Sequence, residues 1–274
     1  MHIRRIASAA GIAALFVSSA SAVTCYGVTD LGALTRFDHL TPESVTLVGP
    51  VTGLALGETV VGLDMRPATN ELFALGSGSN LYRIDKTTGA ATQIGTTFAT
   101  MLNGTNFGMD FNPTVDRLRI TSNTGQNLRV NPNNGVVAFV DGMLNYRADD
   151  VNAGATPDVV ASAYTNSYGP AAPTSTTLYD IDRGFGTLVR QMPPNDGVLK
   201  TGGSLGITST VTDADVLSRG GTNRLFVLAQ GLTQTELYAV RVDNGSTDAR
   251  GMFPLGVRVN FFAIEISSAP PAVP

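Results

Sequence analysis

The chain has 274 residues, 43% of them hydrophobic, a formal net charge of −4 and no tryptophan. With only two lysines, Lys86 and Lys200, it offers no basic stripe for a phosphate backbone, so nucleic acid is not an expected partner. The single cysteine, Cys25, excludes an internal disulfide framework.

At the N-terminus, Arg4 and Arg5 precede a short apolar run, Gly11 to Val17, and an Ala20-Ser21-Ala22 cleavage site. These are the three parts of a secretory signal peptide. The run is too short for a bilayer, which needs about 20 apolar residues. We therefore expect residues 1–22 to be removed and the mature chain to be secreted or periplasmic. Residues 23–267 then form a single domain, and 268–274 a flexible tail. No transmembrane segment follows the signal, and a monomer is expected. Cys25 lacks the flanking leucine and small residue of a lipoprotein attachment site, which makes it a strand residue or a free thiol.

Along the mature chain one pattern recurs. LYRIDKTTGAATQIG starts at Leu81, LRVNPNNGVVAFV at Leu128, LYDIDRGFGTLVRQ at Leu178 and LYAVRVDNGSTDARG at Leu237. Apolar residues two apart mark one face of a strand. The polar position that follows, and the glycine four residues after it (Gly89, Gly135, Gly186 or Gly245), reverse the chain as a turn. Each copy reads as a hairpin. Upstream of the first two, VVGLDMRPATNELFAL and FGMDFNPTVDRLRI add two further strands. One unit is thus four antiparallel strands, a to d from first to last. Later copies are looser, VVASAYT with TTLYDID and GSLGITST with NRLFVLAQ.

A fifth copy spans the termini. CYGVTDLG, ALTRFD and SVTLVGP supply three strands with none before them, and VNFFAIEIS is one strand with nothing after it. The aligned positions 38, 85, 131, 182 and 241 are 46 to 59 residues apart, near the ~40–50 of a propeller blade. We expect an all-β, five-bladed β-propeller of four-stranded antiparallel blades. Pairing of the C-terminal strand with the N-terminal blade closes the ring. Six blades is the alternative.

The run FGMDFNPTVDRLRITSNTGQNLRVNPNNG, with DVNAGATPDVVASAYTNS after it, LYRIDKTTG and NDGVLKTGGSLG, resembles the bacterial family known as domain of unknown function 4394. The likeness extends over roughly residues 26 to 267. It implies a secreted bacterial protein with a propeller-like fold, and it brings no catalytic residues.

Catalytic chemistry has little to draw on. The mature chain has one histidine, His39, which we read as a surface turn residue. No G-x-S-x-G elbow, H-E-x-x-H pair or P-loop is present. Asp64 and Asp110 share a position in the first strand of their units, where we expect them to accept backbone hydrogen bonds in their Asp-x-x-Pro turns. Their counterparts would be Tyr164 and Gly206. Tyr82, Tyr179 and Tyr238 read as blade packing, and Tyr146, Tyr164 and Tyr168 as freer. Departures from the repeat carry more. Arg119 occupies the slot of Phe73 and Phe226, with Arg117 two residues before it; a buried arginine requires a carboxylate, carbonyls or a ligand. An internal salt bridge to Asp116 or Asp110 is the plain reading. The irregular stretch DGMLNYRADDVNAGATPDVV (141–160) carries Asp149, Asp150, Asn152 and Asp158, and the SNTGQN loop with Asn123 and Asn127 should lie beside it. We take Arg117, Arg119, Asn123, Asn127, Asp149, Asp150 and Asn152 as candidate binding residues on scaffold-borne loops. Asp149, Asp150 and Asn152 are candidate calcium ligands.

The leading expectation is a non-enzymatic binding module for a protein or extracellular polymer. The alternatives are a calcium-dependent hydrolase resembling a lactonase and a structural envelope or matrix component.

Overall fold

The computed structural model describes residues 21–267. Apart from residues 21 and 22, the expected signal peptide lies outside these residues, as does the 268–274 tail. Among the described residues the regular structure is β throughout, apart from one 3-10 turn at Pro194–Asp196. The first blade contains β1 (Thr24–Thr29), β2 (Ala33–Asp38) and β3 (Thr41–Pro50). The second is β4 (Val60–Arg66), β5 (Glu71–Gly76), β6 (Asn80–Ile84) and β7 (Ala91–Ile94). The third is β8 (Phe107–Asn112), β9 (Arg117–Ser122), β10 (Asn127–Val130) and β11 (Val137–Val140). After a short β12 (Asn145–Tyr146) come β13 (Val159–Tyr164), β14 (Leu178–Asp182), β15 (Thr187–Gln191) and β16 (Val198–Ser204) of the fourth. The fifth is β17 (Thr210–Arg219), β18 (Thr222–Gln230), β19 (Thr235–Val240) and β20 (Thr247–Met252). The last strand, β21 (Val259–Ile264), returns to the first blade and pairs antiparallel with β1, Cys25 opposite Ile264. Five sheets in a ring, closed by the C-terminal strand, are what the repeat spacing predicts.

The innermost strands are β4, β8, β13, β17 and β21; β4, β8 and β13 are buried almost throughout and read as near-continuous apolar runs, whereas β17 also buries Asp213 and Asp215. Four of the five seams between blades are filled by apolar clusters. Tyr26, Val28 and Leu34 meet Leu63 and Met65 between the first two blades. Phe73 and Leu75 meet Met109 and Phe111 between the second and third. Ala161 and Ile181 meet Val216 and Val227 between the fourth and fifth, and Phe226 and Leu228 meet Phe37 and Phe262 between the fifth and first. The clusters among the described residues do not bridge the third and fourth blades. That seam is polar: Thr121 Oγ1 lies 2.8 Å from Ser162 Oγ, which lies 2.6 Å from Asp180 Oδ1. Gly108 permits the approach, since a Cβ there would meet Ser162 Oγ at 2.4 Å.

The rim of the ring explains the repeated glycines. The end of each outermost strand abuts the turn between the third and fourth strands of the next blade. A Cβ on Gly89 would stand 2.6 Å from the Pro50 carbonyl oxygen, and one on Gly95 1.9 Å from that of Asn134. The same holds for Gly203 against Asn244, at 1.9 Å, and for Gly197 against Gly142, at 2.3 Å. The turn glycine is needed for its left-handed φ and also for the neighbouring blade's backbone.

This geometry corrects the strand assignment of the fourth and fifth units. LYDID (178–182) is the second strand of its blade, not the third, and pairs with β13 and β15. Gly186 lies in an open turn with no atom within 4 Å of a Cβ; Gly197 is the true counterpart of Gly89. GSLG ends or follows β16, and the innermost strand of the fifth blade is TVTDADVLSR (210–219). Asx-glycine turns look alike at either end of a blade, and the excursions at 141–158 and 165–177 break the regular period.

Candidate functional site

An innermost strand is a buried sheet edge, and its inward N–H groups have no ladder partner. Carboxylates supply the acceptors. Asp64 Oδ1 accepts from Met65 N at 2.7 Å and Asp64 Oδ2 from Phe111 N at 2.7 Å in the next blade. Asp215 does the same, Oδ1 accepting from Val216 N at 2.5 Å and Oδ2 from Ile264 N at 2.6 Å. The Asp110 carboxylate receives the Tyr164 N–H. Cross-strand register makes Asp64, Asp110, Ala163, Asp215 and Ala263 equivalent, since they face Phe73, Arg119, Tyr179, Phe226 and Tyr26. The N–H groups that follow these five positions thus meet three carboxylates carrying six oxygens. Asp64 captures the Phe111 N–H, so Asp110 lacks the neighbour that its counterparts use. Its Oδ1 is buried without a hydrogen-bond partner.

The three carboxylates converge. One oxygen each from Asp64, Asp110 and Asp215 lie within 4.8 Å of one another, and all three residues are buried. Burial, then the Asp215 charge, pushes the Asp64 carboxyl well above its usual range. Burial, then the Asp64 charge, does so for Asp110, and burial brings Asp215 up to about 7. Desolvation and like charge both disfavour ionisation here. The carboxylates do accept backbone hydrogen bonds, as expected, but from the strand edge of their own and the next blade rather than from their turns. The repeat pattern places the innermost strand of the fifth blade at GSLGITST and so passes over Asp215, whose signal in the sequence is the alternation in VTDADV.

Arg119 faces Asp110 across the sheet, in the same register as Phe73 against Asp64 and Phe226 against Asp215. It is fully buried, and four of its five guanidinium N–H groups have side-chain acceptors. Nε donates to Tyr164 Oη at 2.8 Å, Nη1 to Asn127 Oδ1 and to Asp141 Oδ2 at 3.0 Å, and Nη2 to Asn195 Oδ1 at 2.8 Å. The salt-bridge partner is Asp141, not Asp116 or Asp110; Asp116 pairs with Arg66. Tyr164, read as freer, is buried as part of this network. His39 is buried rather than on the surface, edge-on to Phe226, and burial lowers its pKa.

The structure brings the SNTGQN loop against the 141–158 excursion, with Leu144 N donating to Gly125 O at 3.0 Å. Asn127 Nδ2 donates to the carbonyls of Gly142 and Pro194, each at 3.0 Å. Asn123 Oδ1 accepts from Thr105 N and Asn106 N, and Arg117 donates to the Asp116 carbonyl. The acidic members of the excursion go elsewhere. Asp150 accepts from both Thr201 N and Thr201 Oγ1 at 2.7 Å, Asn152 Nδ2 donates to Thr201 Oγ1 at 3.1 Å, and exposed Asp149 pairs with Arg147.

A different surface is apolar and open. Leu31, Leu56, Leu232 and Leu255 are each at least 74% exposed, on connections of the fifth, first and second blades. They lie where second strands pass to third strands, or where one blade leads to the next. Arg258 ties two of these connections together: its N–H groups reach the Leu232 carbonyl at 3.5 Å and Asp30 at 3.9 Å, and its carbonyl accepts from Asp30 N at 2.9 Å. A groove of about 470 Å³ runs beside Leu31, lined also by Val51, Leu54 and Phe261.

A family model described as a domain of unknown function, DUF4394, matches residues 33–263. No curated protein matches the chain. Among solved structures, a structural-genomics protein of unknown function from Bacteroides thetaiotaomicron is similar at 12% identity and a TM-score of 0.52. The match covers 75% of this chain and 53% of that one, so this chain spans about half its length. A chain of a nidogen/laminin complex is similar at 11% identity and a TM-score of 0.52, over 91% of this chain and 100% of that one. Likeness at such identity concerns the fold alone.

Proposed function

The chain belongs to this DUF4394 family, which carries no assigned activity, and we propose that it is an exported, non-enzymatic binding module. The observation that carries this reading is the open surface of Leu31, Leu56, Leu232 and Leu255, contributed by three adjacent blades. Large apolar side chains gathered on neighbouring connections offer an interaction surface, and loops held by a rigid ring are well placed to present it. A protein partner is favoured over an extracellular polymer, because leucines offer apolar contact but few hydrogen bonds to a polar chain. The similar chain in the nidogen/laminin complex, part of a protein–protein assembly, supports the reading by analogy of fold. Secretion or residence in the periplasm follows from the N-terminal signal pattern.

The test is site-specific photo-crosslinking in producing cells. A photoreactive side chain at Leu31 or Leu232 should give a discrete protein adduct that Leu255→Asp abolishes. The same probe at Phe139, exposed on an outer strand, should give none. Equal adducts at all three positions, or none at Leu31 and Leu232, would overturn the reading.

A further inference from the structure

We propose that Asp64, Asp110 and Asp215 form a buried oxygen site for one calcium ion, placed where the innermost strands of three blades converge. Two observations meet there. The three carboxylates bring oxygens within 4.8 Å of one another, and Asp110 Oδ1 is buried with no donor to satisfy it. Oxygens no more than 4.8 Å apart are close enough to share one calcium, which takes oxygen ligands at about 2.3–2.6 Å in flexible geometry. Magnesium demands near-octahedral geometry and dehydrates reluctantly, so it suits a buried site walled by carboxylates less well.

The surroundings ask for a cation. The charges acting most strongly on Asp64 and Asp110 are those of other carboxylates, Asp213 among them, and a buried charge without a countercharge is strongly unfavourable. A carboxylate oxygen that accepts one N–H retains a lone pair, so Asp64 and Asp215 can hold an ion and the strand edge together. The backbone bonds also limit the ion's role. Asp64 and Asp215 are fixed by N–H groups on both oxygens, which suits a structural ion tying the second, third and fifth blades across the axis. This inference stands apart from the leucine surface, and either can fail without the other.

The experiment unfolds the mature protein in guanidinium chloride with EDTA and refolds it into millimolar calcium, millimolar magnesium or EDTA. Bound metal is counted by atomic emission after desalting, and Tm is measured for each sample. Wild type should retain one calcium per chain and melt roughly 5–15 °C higher than the EDTA sample, with magnesium giving neither effect. Asp110→Asn should bind no calcium and lose the shift, while melting in EDTA no lower than wild type, since a neutral amide replaces a carboxyl whose ionisation the site opposes. The double variant Asp149→Ala/Asp150→Ala leaves the three carboxylates intact and must keep its calcium, which keeps the test decisive if Asp110→Asn does not refold. Wild type without bound calcium, an equal response to magnesium, or loss of calcium in the double variant would overturn the proposal.

Discussion

Asp64 Oδ2 accepts the Phe111 N–H at 2.7 Å across the gap between two blades, and so replaces a ladder bond that no sheet provides. Its other oxygen serves Met65 N. Asp64→Ala leaves both donors buried without acceptors and should cost roughly 2–4 kcal/mol of unfolding free energy in EDTA, measured by guanidinium denaturation. Asp64→Asn keeps one acceptor and should cost less. A loss under about 0.5 kcal/mol for the alanine variant would mean that the donors find other partners.

The rim contacts separate two kinds of glycine. Gly95 is left-handed, and its Cβ would overlap the Asn134 carbonyl; Gly186 is left-handed too, but faces open space. Gly186→Ala should cost only the backbone term, about 1 kcal/mol. Gly95→Ala must also displace the next blade's turn and should cost roughly 3 kcal/mol or more. Thermal melts of the two variants side by side test this difference.

Asp180 makes stability depend on pH. Burial raises its pKa from 3.8 to about 7, against the lowering effects of the Ser162 hydrogen bond and the Arg119 charge. Its folded form therefore holds a proton that the unfolded chain releases. Stability from this group is full below about pH 4, falls as pH rises and is lost above about pH 7, a change of at most roughly 4 kcal/mol. Asp180→Asn should flatten that part of the curve. The comparison is denaturant midpoints of the two proteins between pH 4 and pH 8; parallel curves would show that Asp180 ionises normally.

Arg119 stands at the polar seam as a fastener. Replacing it by methionine strands Tyr164 Oη, Asn127 and Asn195, and should cost about 3 kcal/mol or more. Arg119→Lys should recover little, because one ammonium cannot reach acceptors on four residues that a planar fork spans. Chemical denaturation of both variants decides it; recovery by lysine would make the charge, rather than the fork, the important feature.

Periodicity was enough to read the ring. Two-residue alternation and a recurring Asx-glycine turn located the strands, and an unmatched strand at each end implied closure. The register of the fourth and fifth blades was not legible, since the turn at Gly186 has the same local chemistry as the turn at Gly89 and only the neighbouring blade distinguishes them. Arg119 stood out as a break in an apolar slot, yet its partners Asp141 and Asn195 come from elsewhere in the chain, and no spacing links them to it. The carboxylates at 64, 110 and 215 were visible in part. Their convergence depends on ring geometry, which sequence distance conceals.

The pairing of Cys25 with Ile264 has a consequence for the order of events at the ribosome. Strands β1, β2 and β3 precede the other described strands, but their inner neighbour β21 follows all of them. The first blade must therefore wait, with one edge open, until β21 has been made. Contacts of such long sequence separation slow folding, and the first sheet keeps an unpaired edge until the four other blades have been made.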